Sequence, residues 1–173
     1  MLRLLLLRHA KAVPHDPARD HGRALAERGR ADAKRLGKLL AGESRAIEAA
    51  VHSGARRAEE TALIALGELP KGVPVSAEPR LYEATPAGVI AALRDLPDAA
   101  TTILVVGHNP SLAEAALRLA GSGDQAALAR MAAKYPTCGL ATIDFDVADW
   151  KEISAGGGRL VAFLAPAGLG GSD

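Results

Sequence analysis

Apolar and polar residues alternate along this chain in two rhythms. Leu4-Leu5-Leu6-Leu7 is a continuous apolar run, the mark of a strand covered on both faces. Residues 13–24 carry Pro14, Pro17, Gly22 and scattered charge and are expected to form a loop. Over 31–40 the spacing puts Ala33, Leu36, Leu39 and Leu40 on one helical face, with Gly42 as a stop. Ile47, Ala49 and Val51 then alternate with Glu48, Ala50 and His52, predicting a second strand that ends near Ser53. A helix is expected over 55–66, closed by Gly67 and Pro70, and a short strand over 73–75.

Thr85-Pro86 reads as an N-cap followed by proline at the first helical position, opening a helix that runs to about Leu96. Residues 102–106 form the clearest buried strand. Asn109-Pro110 repeats the cap-plus-proline start for a helix over 112–120, stopped by Gly121, and a further helix is expected over 125–133. Residues 141–147 and 160–164 read as strands joined across the Gly156-Gly157-Gly158 turn, and 167–173 as a flexible C-terminal tail. Strands and helices alternate, with a β-hairpin at the end. That order predicts a single three-layer α/β/α domain over 1–166 with a largely parallel central sheet.

Composition narrows the classes of partner. The 173 residues suit one domain with its own core. Twenty-one Lys and Arg nearly cancel twenty Asp and Glu, leaving +1, so no global field favours nucleic acid or an anionic membrane. Aromatics are only 3%, which argues against stacking platforms for single strands. The single cysteine, Cys138, excludes an intramolecular disulfide and a Cys-rich zinc site. The apolar start is too short for a membrane span and runs directly into Arg8 and His9, so a cytoplasmic protein is expected.

In a sheet of this kind ligands bind at the carboxyl ends of the strands. The first strand ends at Arg8-His9, the second at His52-Ser53 with Arg56 and Arg57 just beyond, and the central one at Gly107-His108. Helix N-termini add partial positive charge at the same edge. Two imidazoles, two or three guanidiniums and these dipoles make a pocket for a phosphoryl group. No G-x-x-x-x-G-K-[ST], G-x-G-x-x-G after a strand, G-x-S-x-G or H-E-x-x-H occurs in the chain.

These residues also carry a resemblance. Leu7-Arg8-His9-Ala10-Lys11-Ala12 resembles the Arg-His signature of the histidine phosphatase superfamily. Residues 53–62, from Ser53 through Arg57 to Thr61-Ala62, resemble its second motif; Leu81-Tyr82-Glu83-Ala84 resembles the segment that supplies an acid, and 106–110 the second histidine motif. Residues 25–30 and Ala33 also fit the stretch before the family's first helix. The short SixA-type phosphohistidine phosphatases are the most similar branch, with the phosphoglycerate mutase-like fold. Ala10 and Gly54 depart from the Gly and Pro common at those positions.

The resemblance implies a metal-independent phosphatase without a cofactor, with His9 as nucleophile. Arg8, Arg57 and His108 would hold the phosphoryl oxygens, Ser53 would add a hydroxyl or cap the following helix, and Glu83 would be the general acid. It implies no metal ligands. The 26 positions between Arg57 and Glu83 leave no room for a large lid. A shallow, open pocket would suit phosphohistidine on a protein, such as a histidine-containing phosphotransfer protein, with the chain acting as a monomer. Two other readings stand beside it: a phosphomonoesterase acting on small phosphoesters, and a phosphate-binding module without turnover. Lys11 is expected at the rim rather than simply solvated, Arg56 solvated or in a surface ion pair, and His15, His21 and His52 in loops or on the surface.

Overall fold

The computed structural model describes residues 1–15 and 17–166; the expected tail over 167–173 lies outside the described residues. Among the described residues the strands are β1 (Leu2–Arg8), β2 (Ala49–His52), β3 (Val75–Ala77), β4 (Thr102–Gly107), β5 (Ala120–Gly123), β6 (Leu140–Phe145) and β7 (Gly158–Leu164). The helices are α1 (Glu27–Ala41), α2 (Arg56–Leu66), α3 (Pro86–Arg94), α4 (Ser111–Leu119) and α5 (Gln125–Ala133). All seven strands join one sheet in the order β3-β2-β4-β1-β6-β7-β5. β1, β4, β2 and β3 run parallel, as do β5 and β7; β6 is antiparallel to both of its neighbours.

The leucine run explains the central position of β1. Leu4 and Leu6 enter the core on the side of α3, α4 and α5, together with Ile103 and Val105 of β4. Leu5 and Leu7 enter the opposite core with Ala33 and Leu36 of α1, Ala58 and Ala62 of α2, and Leu104 and Val106. These side chains are buried on both faces of the sheet, each leucine, isoleucine or valine contributing roughly 1.5–3 kcal/mol. Trp150, Phe145 and Phe163 pack into the first of these cores. No helix among the described residues is long and apolar enough to cross a membrane.

Several boundaries differ from the expectation, each for a local reason. α1 begins at Glu27, not near 31, because the buried residue of its first turn is Gly29, invisible to an apolar pattern. A Cβ there would stand 2.1 Å from the carbonyl oxygen of Lys11, so only glycine permits this approach. The supposed loop over 13–24 contains a 3-10 turn, Pro17–Gly22. Residues 120–123 form an edge strand beside β7 rather than a simple helix stop; the sequence Ala-Gly-Ser-Gly carries no apolar alternation to announce it. Thr85 caps α3 by accepting the Gly88 N–H. Asn109 does not cap α4, because its side-chain amide donates to the carbonyl of Tyr135 instead.

Candidate active site

Parallel pairing delivers the chemistry to one edge. Leu7 of β1 lies opposite Val106 of β4, which lies opposite His52 of β2. The residues that follow, Arg8-His9, Gly107-His108 and Ser53, therefore leave the sheet side by side. The backbone beyond β1 is pinned. His9 N–H donates to the Gly107 carbonyl, and the Cys138 N–H reaches the carbonyls of Arg8 and His9. The Ala10 N–H donates to Thr61 Oγ1, whose hydroxyl donates to the Arg57 carbonyl. Thr61 thereby clamps the first motif to α2, and the Ala10 methyl fits into the core.

His9 is held in one tautomer. Its Nδ1 lies 2.8 Å from the carbonyl oxygen of Ala10; a carbonyl only accepts, so Nδ1 carries the proton. Nε2 is then the lone-pair nitrogen, and it accepts from Arg57 Nε at 3.4 Å. Burial lowers the His9 pKa to about 4, helped by the charges of Arg57, Arg8 and Arg23 and opposed by the Ala10 hydrogen bond. His9 is neutral at pH 7, and its Nε2 lone pair faces the Arg57 guanidinium.

The same logic fixes His108. Arg57 Nη2, which only donates, lies 3.3 Å from its Nδ1. Nε2 therefore bears the proton and donates to Ser53 Oγ at 2.6 Å. Ser53 Oγ also accepts the Ala55 N–H just before α2. Ser53 is 1% exposed and orients His108, a third possibility beside the two expected. Burial first, then the His9 and Arg57 contacts, lower the His108 pKa to about 3. The two rings lie 5.1 Å apart, centroid to centroid.

The guanidiniums complete a cavity of about 360 Å³ lined by Arg8, His9, Lys11, Arg57 and His108 among others. Arg8 Nη1 donates to the Tyr135 carbonyl at 3.1 Å, while its buried Nε has no partner among the described residues. Burial lowers the Arg8 pKa. Lys11 sits on the rim as expected, and Arg56 pairs with Glu60 at the surface.

Other expectations need adjusting. His52 is buried, with Nδ1 accepting the Gly54 N–H. Gly54 has φ +88°, which a proline ring forbids, so the departure from Pro has a backbone reason. His15 lines the cavity. Glu83 is exposed, with φ 52°, and is not among the residues lining the cavity.

Two participants were missed in the sequence. Asp20, in the 3-10 turn, lines the cavity and accepts from Arg57, Arg23 and Tyr82. The Tyr82 hydrogen bond and the two arginines hold its carboxyl well below the usual range, against the cost of burial. Nothing in the spacing of 13–24 marked it. The second is Tyr135, whose carbonyl orients both Arg8 and Asn109 and whose hydroxyl ties β1 to β6.

Comparison with known proteins points to one family and one fold. The model of the histidine phosphatase superfamily (branch 1) matches residues 4–87. An uncharacterised protein of Mycobacterium tuberculosis is 37% identical over 162 residues, covering 92% of this chain and 99% of the relative. The candidate phosphohistidine phosphatase SixA of Agrobacterium tumefaciens is 28% identical, with TM-score 0.78 over 95% of this chain and 98% of that one. Its counterpart from Nakamurella multipartitia is 25% identical, with TM-score 0.82 over 95% and 96%.

Proposed function

Since the chain belongs to the histidine phosphatase superfamily, we propose that it removes phosphate from phosphohistidine on a protein through a phospho-enzyme intermediate on His9. The observation that carries this reading is the His9 tautomer. The Nε2 lone pair attacks phosphorus, the P–N bond of the substrate breaks, and its electron pair leaves on the substrate imidazole. Arg8 and Arg57 surround the phosphoryl oxygens and stabilise the spread charge, while His108 lines the pocket and positions Arg57 through its Nδ1 lone pair. The proton stays on Nδ1, donated to the Ala10 carbonyl. The phosphorylated ring is therefore cationic and a good leaving group. Water then attacks phosphorus, the P–Nε2 bond breaks with its electron pair returning to His9, and the proton of the water passes to solvent as phosphate leaves.

The available acids favour a phosphoramidate. An alkoxide leaving from a phosphomonoester needs a proton from the enzyme, whereas a phosphohistidine ring already protonated on its other nitrogen departs as neutral imidazole without one. Among the described residues Asp20 is the carboxyl lining the cavity, and its neighbours keep it ionised. Glu83, the acid suggested by the motif, stands outside that lining.

The test is a paired assay with a phosphohistidine peptide and para-nitrophenyl phosphate. A kcat/KM at least about 100-fold higher on the peptide, worth about 2.7 kcal/mol of barrier, is expected. A preference for the ester would select the phosphomonoesterase reading. Turnover of neither with phosphate still bound would select the binding module.

A further inference from the structure

Arg57 is already engaged with an anion of the chain itself. Its Nη1 donates to the Asp20 carbonyl at 2.8 Å and its Nη2 to Asp20 Oδ2 at 3.2 Å. The same Oδ2 receives the Tyr82 hydroxyl at 2.6 Å, and Oδ1 receives Arg23 Nε at 3.0 Å with His15 Nδ1 at 3.3 Å. Asp20 is thus fixed from several sides on the wall of the cavity. A guanidinium has five N–H donors. Those of Arg57 already reach His9, His108 and Asp20, and its side chain is only 7% exposed. An entering phosphoryl group that takes Nη2 must displace the Asp20 carboxylate from it, because the two anions need the same donor.

We propose that Asp20 is a specificity-determining residue of this pocket, an internal competitor that weakens binding of free phosphate by holding Arg57. The proposal rests on the reading of the pocket as a phosphoryl site and adds that the site is tuned against its own product. Free phosphate has only the pocket to hold it, whereas a phosphorylated protein also has contacts beyond the pocket. Competition at Arg57 therefore falls hardest on the product. Tyr82 and Arg23 are the groups that keep the competitor in place.

The experiment is titration calorimetry with inorganic phosphate at fixed ionic strength. It compares the unmodified protein, Asp20→Asn, Arg57→Gln and the double variant. Asn keeps the shape of the side chain while removing its charge. Asp20→Asn is expected to tighten phosphate binding about tenfold, and less than about threefold in the Arg57→Gln background. With a phosphohistidine peptide, the same substitution is expected to lower KM and the inhibition constant of phosphate without raising kcat.

Unchanged or weaker binding in Asp20→Asn overturns the proposal, the latter making Asp20 a positioning residue for Arg57. An equal gain with and without Arg57 also overturns it, because the effect would then be general charge. So does the absence of phosphate binding in all four proteins. Failure to hydrolyse the peptide, with the expected isotherms, would remove the phosphohistidine reading and leave the role of Asp20 intact.

Discussion

His9 should make the fold sensitive to acid, and His9→Gln should relieve part of that sensitivity. The imidazole has an ordinary pKa of 6.5 and a folded value of about 4, with burial the largest cause. A lowered pKa on a basic group means that the unfolded chain binds more protons between those values. The stability held at neutral pH is therefore lost as pH falls below 6.5, and the loss levels off below 4. At pH 4.5 the unfolded ring is almost fully protonated and the folded ring mostly is not. The difference is worth about 2–3 kcal/mol, at about 1.4 kcal/mol per pH unit. His108 acts in the same direction, with a folded value of about 3, but it is present in both proteins and largely cancels in the comparison.

The assay is urea unfolding of both proteins at pH 7.5 and 4.5, followed by the fluorescence of the fully buried Trp150. Both should be less stable at pH 4.5, and the stability of His9→Gln relative to the parent should rise by about 2–3 kcal/mol. A relative stability that stays constant within about 0.5 kcal/mol would refute the buried, neutral His9 on which nucleophilic attack depends.

Two further outcomes follow from the site. Ser53→Ala removes the acceptor of the His108 Nε2 proton and leaves a buried N–H unpaired. A loss of about 1–3 kcal/mol in urea unfolding and about a tenfold lower kcat/KM are expected, and nitrogen NMR should report a changed His108 tautomer. Glu83→Gln should leave phosphoester and phosphohistidine hydrolysis nearly unchanged, because Glu83 is exposed and stands outside the cavity lining. A marked loss on either substrate in the paired assay would give Glu83 a role in that reaction.

The strand ends were legible because apolar runs and the residues that close them are neighbours in sequence. Leu4 to Leu7 placed Arg8 and His9, and 102–106 placed His108, before any tertiary contact was known. Thr61 stood inside a motif, but its clamp on Ala10 is a contact 51 positions away. Asp20 was read as scattered charge in a proline-rich loop, because its meaning lies in Arg57 and Tyr82, 37 and 62 positions distant. Tyr135 acts on Arg8 through its backbone carbonyl, a group every residue has, so its identity gave no signal. The edge strand 120–123 went unseen because half-exposed glycines carry no period. Local pattern reaches as far as local cause; the walls of the pocket are made by long-range pairing.

The central claim is a phosphoryl group on His9 Nε2. It is tested most directly by mixing the protein with a 32P-labelled phosphohistidine peptide, quenching within milliseconds into alkali, and mapping the label after digestion. The account predicts alkali-stable, acid-labile label on Nε2 of His9 and none in His9→Ala. Label retained in His9→Ala, or mapped to any other residue of the unmodified protein, would contradict it.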